Sequence, residues 1–273
     1  MEKYWGMGPN ALIALVLVII MSQPTEVSGQ ILNIERERMQ RDSAKTWMVN
    51  GTIGVRLYNR SAAADSPVDM FGYNAGINAV YFSERHSYAA IGHLDYLKIN
   101  ENDFLNFGYM HLRSHFFYQN NVSLEVFAQV SYDNFRGLDP RALAGAGIRK
   151  RLLDTKRSTL HLGVGALAEG EWWEHPETGE SVNVQYIKST NYLSFRYSVN
   201  DFVDFNAIGY YQLGYDRDLS VPRHRTSGNI NLNTKLSRYF SWTNSFEFSY
   251  EDKPIVPITR FIFHFKTGLT ISI

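Results

Sequence analysis

The sequence predicts an all-β protein: a single transmembrane antiparallel up-and-down β-barrel of about 12 strands. Three observations predict this fold. Apolar and polar residues alternate through most of the chain after residue 45, the alternating segments run about ten to fourteen residues, and short and long connections take turns between them. Strands of soluble proteins average about five or six residues, whereas a strand that crosses a membrane needs about nine to eleven. Segment length therefore disfavours the alternative, a soluble sandwich or lipocalin-like barrel.

The composition limits the chemistry. The 273 residues include 27 basic and 27 acidic side chains, so the formal net charge is zero. A neutral chain without a long basic run gives no reason to expect nucleic acid as a partner. The absence of cysteine excludes disulfides, thiolate metal ligands and cysteine catalysis. We expect no cofactor and no metal.

The first 29 residues have the pattern of a cleaved signal peptide. Lys3 precedes an apolar run at 11–21, and Val27, Ser28 and Gly29 provide small residues for cleavage. An N-terminal membrane anchor is the less favoured alternative, because the run is too short to span a bilayer. We expect residues 30–45 to form a short periplasmic tail and residues 46–273 to form the barrel. This organisation predicts export to the outer membrane of a Gram-negative bacterium.

The segment 121–133 shows the alternation most clearly. One face carries Val122, Leu124, Val126, Ala128 and Val130, and the other carries Ser123, Glu125, Gln129, Ser131 and Asp133. Such a strand has one apolar and one wet face. The same analysis predicts twelve strands, near 46–58, 71–82, 87–98, 103–117, 121–134, 141–152, 159–171, 190–199, 202–215, 225–236, 240–250 and 258–272. In the fourth of these the apolar parity changes near Met110, which predicts a bulge there.

The connections predict the orientation in the membrane. Tight turns alternate with roomier loops, and the prolines of the mature chain all fall in the roomier set, which we assign to the cell exterior. The longest predicted loop is 172–189, with Trp172 and Trp173 at its base. These two residues and His175 are the candidate external-loop residues. Metal binding by His175 with Glu174 and Glu177 is possible, but a solvated loop tip is favoured.

The wet faces carry balanced charge. Seven basic and seven acidic side chains fall there in the predicted strands, and a barrel of about twelve strands has a narrow lumen. Because buried charges are costly unless paired, the sequence favours an ion-pair network over a charge-lined pore. The predicted hairpin places Glu125 opposite Arg149 and Asp133 opposite Arg141. The full set of lumen ion-pair candidates is Glu125, Asp133, Arg141, Arg149, Glu169, Glu171 and Arg196.

Two patterns resemble enzyme motifs, but for each of them a structural interpretation is favoured over a catalytic one. Gly145, Gly147, Gly163 and Gly165 lie on neighbouring strands without the helix that a phosphate loop needs, so they indicate close side-chain approach. A lipid hydrolase needs a serine beside a histidine, and strand parity separates Ser114 from its histidine neighbours. We therefore predict no catalytic residue.

Several stretches resemble a known family. QILNIERERMQRD, EVFAQVSYDNF, DPRALAGAGIRKRLL, LHLGVGALAEGE and NYLSFRYSVND, in this order, resemble outer-membrane barrels of a domain of unknown function, often labelled salt-induced, in the branch found in the Bacteroidetes. The most specific positions are Arg141, Gly145, Gly147 and Glu169. The resemblance implies an outer-membrane barrel but no settled activity and no catalytic residues.

The sequence thus leaves three functions in order of preference. The first is a structural or envelope-stress barrel with an ion-paired narrow lumen, the second a small solute pore or ligand-binding barrel, and the third an outer-membrane lipid hydrolase. An apolar-alternating C-terminal strand is typical of chains delivered to the barrel assembly machinery, and one face of the last strand carries Phe261, Phe263, Phe265, Thr267, Leu269, Ile271 and Ile273. The expected partners are that machinery and outer-membrane lipid, and the barrel is expected to be monomeric.

Overall fold

The computed structural model describes residues 46–61, 67–100, 102–216, 219–237 and 239–271. The predicted signal peptide and periplasmic tail lie outside the described residues. Within them the chain forms one antiparallel sheet of twelve strands in sequence order. The strands are β1 (Trp47–Ser61), β2 (Pro67–Phe82), β3 (His86–Ile99), β4 (Asn102–Phe116), β5 (Val122–Asp133), β6 (Leu138–Asp154), β7 (Ser158–Glu174), β8 (Ser181–Ser198), β9 (Val203–Asp216), β10 (Val221–Lys235), β11 (Phe240–Glu251) and β12 (Phe261–Ile271).

The predicted all-β, up-and-down, twelve-stranded architecture is confirmed. Each strand pairs with the next one along the chain. Over the parts of β1 and β12 that the structure describes, these two edge strands form no ladder with each other, so hydrogen bonds do not close the sheet. Among the described residues, no helix is long and apolar enough to cross a membrane.

The strands extend further at one end than the sequence pattern predicts. The predicted loop 172–189 is wrong: β7 runs to Glu174 and β8 starts at Ser181, which leaves only residues 175–180 between them. The longest connection that the structure describes completely is 252–260. The contrast between short and long connections is therefore smaller than predicted. Pro67, Pro140 and Pro222 lie at the ends of strands, where a missing N–H is tolerated.

The predicted bulge near Met110 is misplaced. The irregularity between β3 and β4 lies where Leu97 pairs with Leu105 and Lys98 pairs with Asp103. Phe104 is therefore the extra residue in this ladder. The apparent change of parity has a different cause. Phe107 and Tyr109 point to the concave side, where they pack on Ile91. Apolar residues thus lie on both faces of β4.

The sheet has the polarity of a protein in an apolar solvent. Outward side chains along its middle are apolar and exposed, as at Val126, Val164 and Ile187. Inward side chains include fully buried charges, as at Asp95 and Glu171, both 0% exposed. In a soluble protein, apolar side chains are mostly buried and charged side chains are mostly exposed to water. The outer surface is therefore apolar along its middle, and charge lies on the concave side.

Aromatic side chains form two rows on the outer surface. Trp47 and Tyr81 lie 4.7 Å apart between ring centroids, and Tyr81 and Tyr88 lie 6.2 Å apart. The other row contains Tyr73 and Tyr96, 5.1 Å apart. Eight residues separate the two rows along β2, which is about 26 Å at the usual rise per residue. Aromatic girdles of membrane barrels flank an apolar band about 25 Å tall.

Candidate functional site

The concave side of the sheet is filled with charge near the ends of β6, β7, β8, β10 and β11. Six residues form what we call the mouth charge layer: Arg141, Lys188, Arg225, Glu169, Glu171 and Glu251. It holds three bases and three acids, and their side chains are between 0% and 12% exposed. A buried charge needs an opposite charge and hydrogen bonds to persist, and the layer supplies both.

Arg225 is the centre of the layer. Its Nη1 lies 2.9 Å from Glu169 Oε1, and its Nη2 lies 2.8 Å from Glu171 Oε1 and 3.1 Å from Glu251 Oε1. Arg141 Nε adds a contact of 2.8 Å to Glu169 Oε1. Lys188 Nζ lies 3.2 Å from the other oxygen of that carboxylate. One guanidinium thus connects three carboxylates.

Strand register brings these residues together. Arg141 on β6 pairs directly with Glu171 on β7, and Arg225 on β10 pairs with Glu251 on β11. Glu169 shares the inward face because it lies two residues before Glu171. The structure thus brings three of the sequence candidates, Arg141, Glu169 and Glu171, into one contact network.

An apolar cover lies over the layer. Leu138, Trp173 and Val256 are each at most 4% exposed, and Ile255 and Ile258 pack against them. Val256 belongs to the connection 252–260, which therefore folds back over the mouth. The Trp173 Nε1–H donates to Glu171 Oε2 at 2.8 Å and joins the cover to the charges below.

A second cluster surrounds Glu125 nearer the opposite end. Its carboxylate lies 3.6 Å from Arg113 Nη1 and 3.8 Å from Arg149 Nη1, and it accepts a hydrogen bond of 2.7 Å from the Tyr192 hydroxyl. The predicted register is wrong by two residues, since Arg149 pairs with Ser123. Arg149 and Glu125 are diagonal neighbours on one face, which still permits contact.

Asp133 and Arg196 lie outside both clusters. Asp133 pairs with Leu138 and not with Arg141, because the ladder shifts register between Ser131 and Asp133. The predicted Asp133–Arg141 pairing is therefore wrong. Arg196 is a half-buried residue level with Asn206, towards the other end of the concave side.

The three external-loop candidates have different environments. Trp172 is 37% exposed on the outer surface, and Trp173 is 4% exposed within the cover. His175 Nδ1 accepts hydrogen bonds from the backbone N–H groups of Glu177 and Thr178, at 3.2 and 3.3 Å. The histidine thus stabilises its own turn. Within the described part of the chain, no three His, Cys, Asp or Glu residues are grouped as a metal site.

Sequence reasoning missed half of the mouth charge layer. Lys188, Arg225 and Glu251 lay in predicted loops or at predicted strand ends, so they were not counted on the wet face. The salt bridge of 2.8 Å between Asp216 and Arg223 was missed for the same reason. A signal was available, because Lys188 continues an alternation with Val182, Val184 and Tyr186. That face carries apolar residues as well as the lysine, which concealed the pattern.

A serine–histidine contact was also missed. Ser123 Oγ lies 2.6 Å from His115 Nε2, and Glu125 Oε1 lies 4.0 Å from the same nitrogen. A hydrolase triad needs the acid on the other ring nitrogen, where it orients the base. Both side chains are also under 10% exposed. The geometry fits a structural hydrogen bond.

The inward glycines make room for large side chains. A Cβ on Gly163 would lie 2.0 Å from the Tyr192 ring, and one on Gly145 would lie 2.6 Å from the Phe127 ring. The cavity beside these rings, next to Glu125 and Gln212, measures about 20 Å³, which is room for one water. The glycines therefore allow aromatic rings to fill the concave side.

We expect Gly163→Ala to lower the free energy of unfolding by about 1–3 kcal/mol, because the new methyl group would overlap the Tyr192 ring. Gly209→Ala is the matched control, since a Cβ there would meet nothing within 4 Å. Urea unfolding of both variants from lipid vesicles measures the difference. Equal stability of the two variants would show that Tyr192 does not occupy this space.

Comparisons with known proteins identify the family to which the chain belongs. Residues 69–256 match the family described as "Protein of unknown function, DUF481", and the chain belongs to this family. Among solved structures, the chain is similar to the NanC porin at 8% identity and a TM-score of 0.42, covering 83% of this chain and 99% of that one. The beta domain of the Bordetella autotransporter BrkA matches at 11% identity and a TM-score of 0.34, covering 83% of this chain and 98% of that one. No curated protein matches.

Proposed function

We propose that this protein is a structural barrel of the outer membrane whose lumen is closed by ion pairs. The observation that carries the proposal is the mouth charge layer, in which Arg225 joins Glu169, Glu171 and Glu251 under an apolar cover. A solute would have to separate these charges to pass. Separating buried pairs without new partners costs several kcal/mol.

The inverted polarity and the two aromatic rows support the membrane location. In hydrocarbon every backbone N–H and C=O needs a partner within the protein, so an open sheet edge is not tolerated there. We therefore propose that β1 and β12 pair in the membrane. The barrel acts as a monomer surrounded by outer-membrane lipid, after a signal peptide is cleaved and the barrel assembly machinery inserts the chain.

A role in envelope or salt stress, in a bacterium of the Bacteroidetes type, belongs to the same proposal. Its support is the sequence resemblance around Arg141, Gly145, Gly147 and Glu169. The proposal includes no catalytic activity. A small solute pore is the competing function, and conductance separates the two.

We expect the purified protein to show no steady conductance in planar lipid bilayers. A variant that removes part of the layer, Glu169→Ala with Arg225→Ala, is expected to conduct, because it widens the concave side without leaving a net charge. Single-channel recording of both proteins in the same lipid is the measurement. Steady open channels in the unmodified protein would establish the pore instead.

A further inference from the structure

A small pocket lies at the mouth, on the concave side and against the mouth charge layer. It measures about 30 Å³, which is room for two water molecules. Its charged lining consists of Arg136, Arg141, Arg225, Arg260, Glu171 and Glu251. The pocket is separate from the cavity beside Tyr192, and no part of the proposed closure requires it.

Positive charge exceeds negative charge in this lining. Four guanidiniums face two carboxylates, and four minus two leaves +2. Both carboxylates are already bound by Arg225, at 2.8 and 3.1 Å. Asp133 is the other carboxylate that acts on Arg136, and counting it leaves +1. Glu169 and Lys188 of the mouth charge layer are not in the lining, and their opposite charges cancel. An anion is therefore the ligand that the charge of the pocket favours.

Arg136 and Arg260 are the two cations of the lining that no carboxylate of the described residues contacts directly. Among the residues that the structure describes, neither guanidinium has a carboxylate within 4.0 Å. Burial lowers the pKa of the Arg136 guanidinium, although the nearby carboxylates raise it. The Arg260 side chain is exposed and borders solvent at the mouth. The pocket thus combines a partly desolvated cation with an accessible one.

The turn that contains Arg136 and the nearby Trp173 ring fix the position of this side chain. Arg136 ends the 3-10 turn Asn134–Arg136, and Gly137 follows with a φ of 75°, a conformation that favours glycine. The Glu174 N–H donates to Gly137 O at 2.7 Å, which fixes the turn against β7. The Arg136 guanidinium lies 5.8 Å from the centre of the Trp173 ring. A positioned cation binds an anion at a lower entropic cost than a mobile one.

We propose that this pocket binds a small monovalent anion, either chloride or a single carboxylate group, between Arg136 and Arg260. Guanidinium N–H groups donate charge-assisted hydrogen bonds to such an anion. The volume suits one desolvated chloride ion or one carboxylate group, and it is small for a phosphate group.

The test is anion binding by the full chain, folded in detergent. The urea midpoint of unfolding is followed in sodium chloride, acetate, phosphate and isethionate at one ionic strength, with the ³⁵Cl line width as a direct readout. We expect saturable stabilisation by chloride or acetate and none by isethionate, whose sulfonate group is larger than a carboxylate. Arg136→Gln with Arg260→Gln should weaken binding about tenfold or more. Arg157→Gln, at an exposed position in the turn after β6, is the matched control and should leave binding unchanged.

Some outcomes distinguish the two kinds of anion, and others would rule out the site. A response to chloride alone assigns an inorganic ion, and a stronger response to acetate assigns a carboxylate ligand. If the double variant does not fold, Arg260→Gln should weaken binding while Arg260→Lys, which keeps the charge, retains most of it. Equal salt dependence in all variants, tighter binding of phosphate, or an equal effect of isethionate would overturn the proposal. None of these outcomes depends on whether the lumen conducts.

Discussion

Replacing Arg225 by methionine is expected to lower the free energy of unfolding by about 3–5 kcal/mol. The reason is that the replacement removes one cation that contacts several buried carboxylates. Glu169, Glu171 and Glu251 all contact this guanidinium at 2.8 to 3.1 Å, and Glu169 and Glu171 are 0% exposed. After the substitution the three carboxylates keep only two cations of the mouth charge layer, Arg141 and Lys188. Urea unfolding from lipid vesicles, followed by tryptophan fluorescence, measures the loss.

Two controls separate the loss of a charge from the loss of a side chain. Arg225→Met with Glu251→Gln removes one charge of each sign, so we expect it to cost less than Arg225→Met alone. Arg151→Met breaks the pair of 2.9 Å with Asp154, where the side chains are 26% and 49% exposed. Surface pairs contribute about 0–1 kcal/mol. If Arg225→Met and Arg151→Met cost the same, the layer is solvated and the proposed closure is wrong.

Architecture could be predicted from this sequence because strands with two different faces leave a strong pattern. In β5 every second residue from Val122 to Val130 is apolar and outward, and the inward residues are charged or polar except for Phe127. That pattern is local and does not depend on which strand lies next to it. The number and order of strands followed from counting such segments.

The ends of the strands could not be predicted, because the pattern inverts there. Above the apolar band the outward face of β8 becomes polar, as at Asn183 and Gln185, while the inward face carries Val182 and Val184. This alternation is opposite to the apolar-outward pattern of the middle of the sheet, so the sequence predicted a loop there. As a consequence, Lys188 was not predicted to be a residue of the site.

The contacts of the site depend on register, which the sequence specifies poorly. A shift of two residues keeps every side chain on its face, so the faces of Glu125 and Arg149 followed from parity while their pairing did not. The contact between Arg225 and Glu169 joins residues on β10 and β7, which are not neighbours in the sheet. Only the curvature of the sheet brings them within 2.9 Å. No pattern within one strand contains that information.

Val126→Arg is expected to lower the free energy of unfolding by about 2–4 kcal/mol, the cost of a cation near the middle of a bilayer. Val126 is outward and 42% exposed on β5, six residues from the aromatic Tyr132 at one end and four from Val122 at the other. Its exposure would make the substitution harmless in water. The expected loss therefore arises from the lipid and not from packing inside the protein.

Val122→Arg is the matched control for depth. Val122 points outward from the same strand and is 53% exposed, but it is the first residue of β5, beside the turn. An arginine there can reach the interface, where the cost falls to about 0–1 kcal/mol. Unfolding of both variants in vesicles gives the difference, and repeating it in bilayers with longer acyl chains should raise the cost at Val126. If both arginines cost the same at every thickness, the outward face of β5 does not contact the hydrocarbon core.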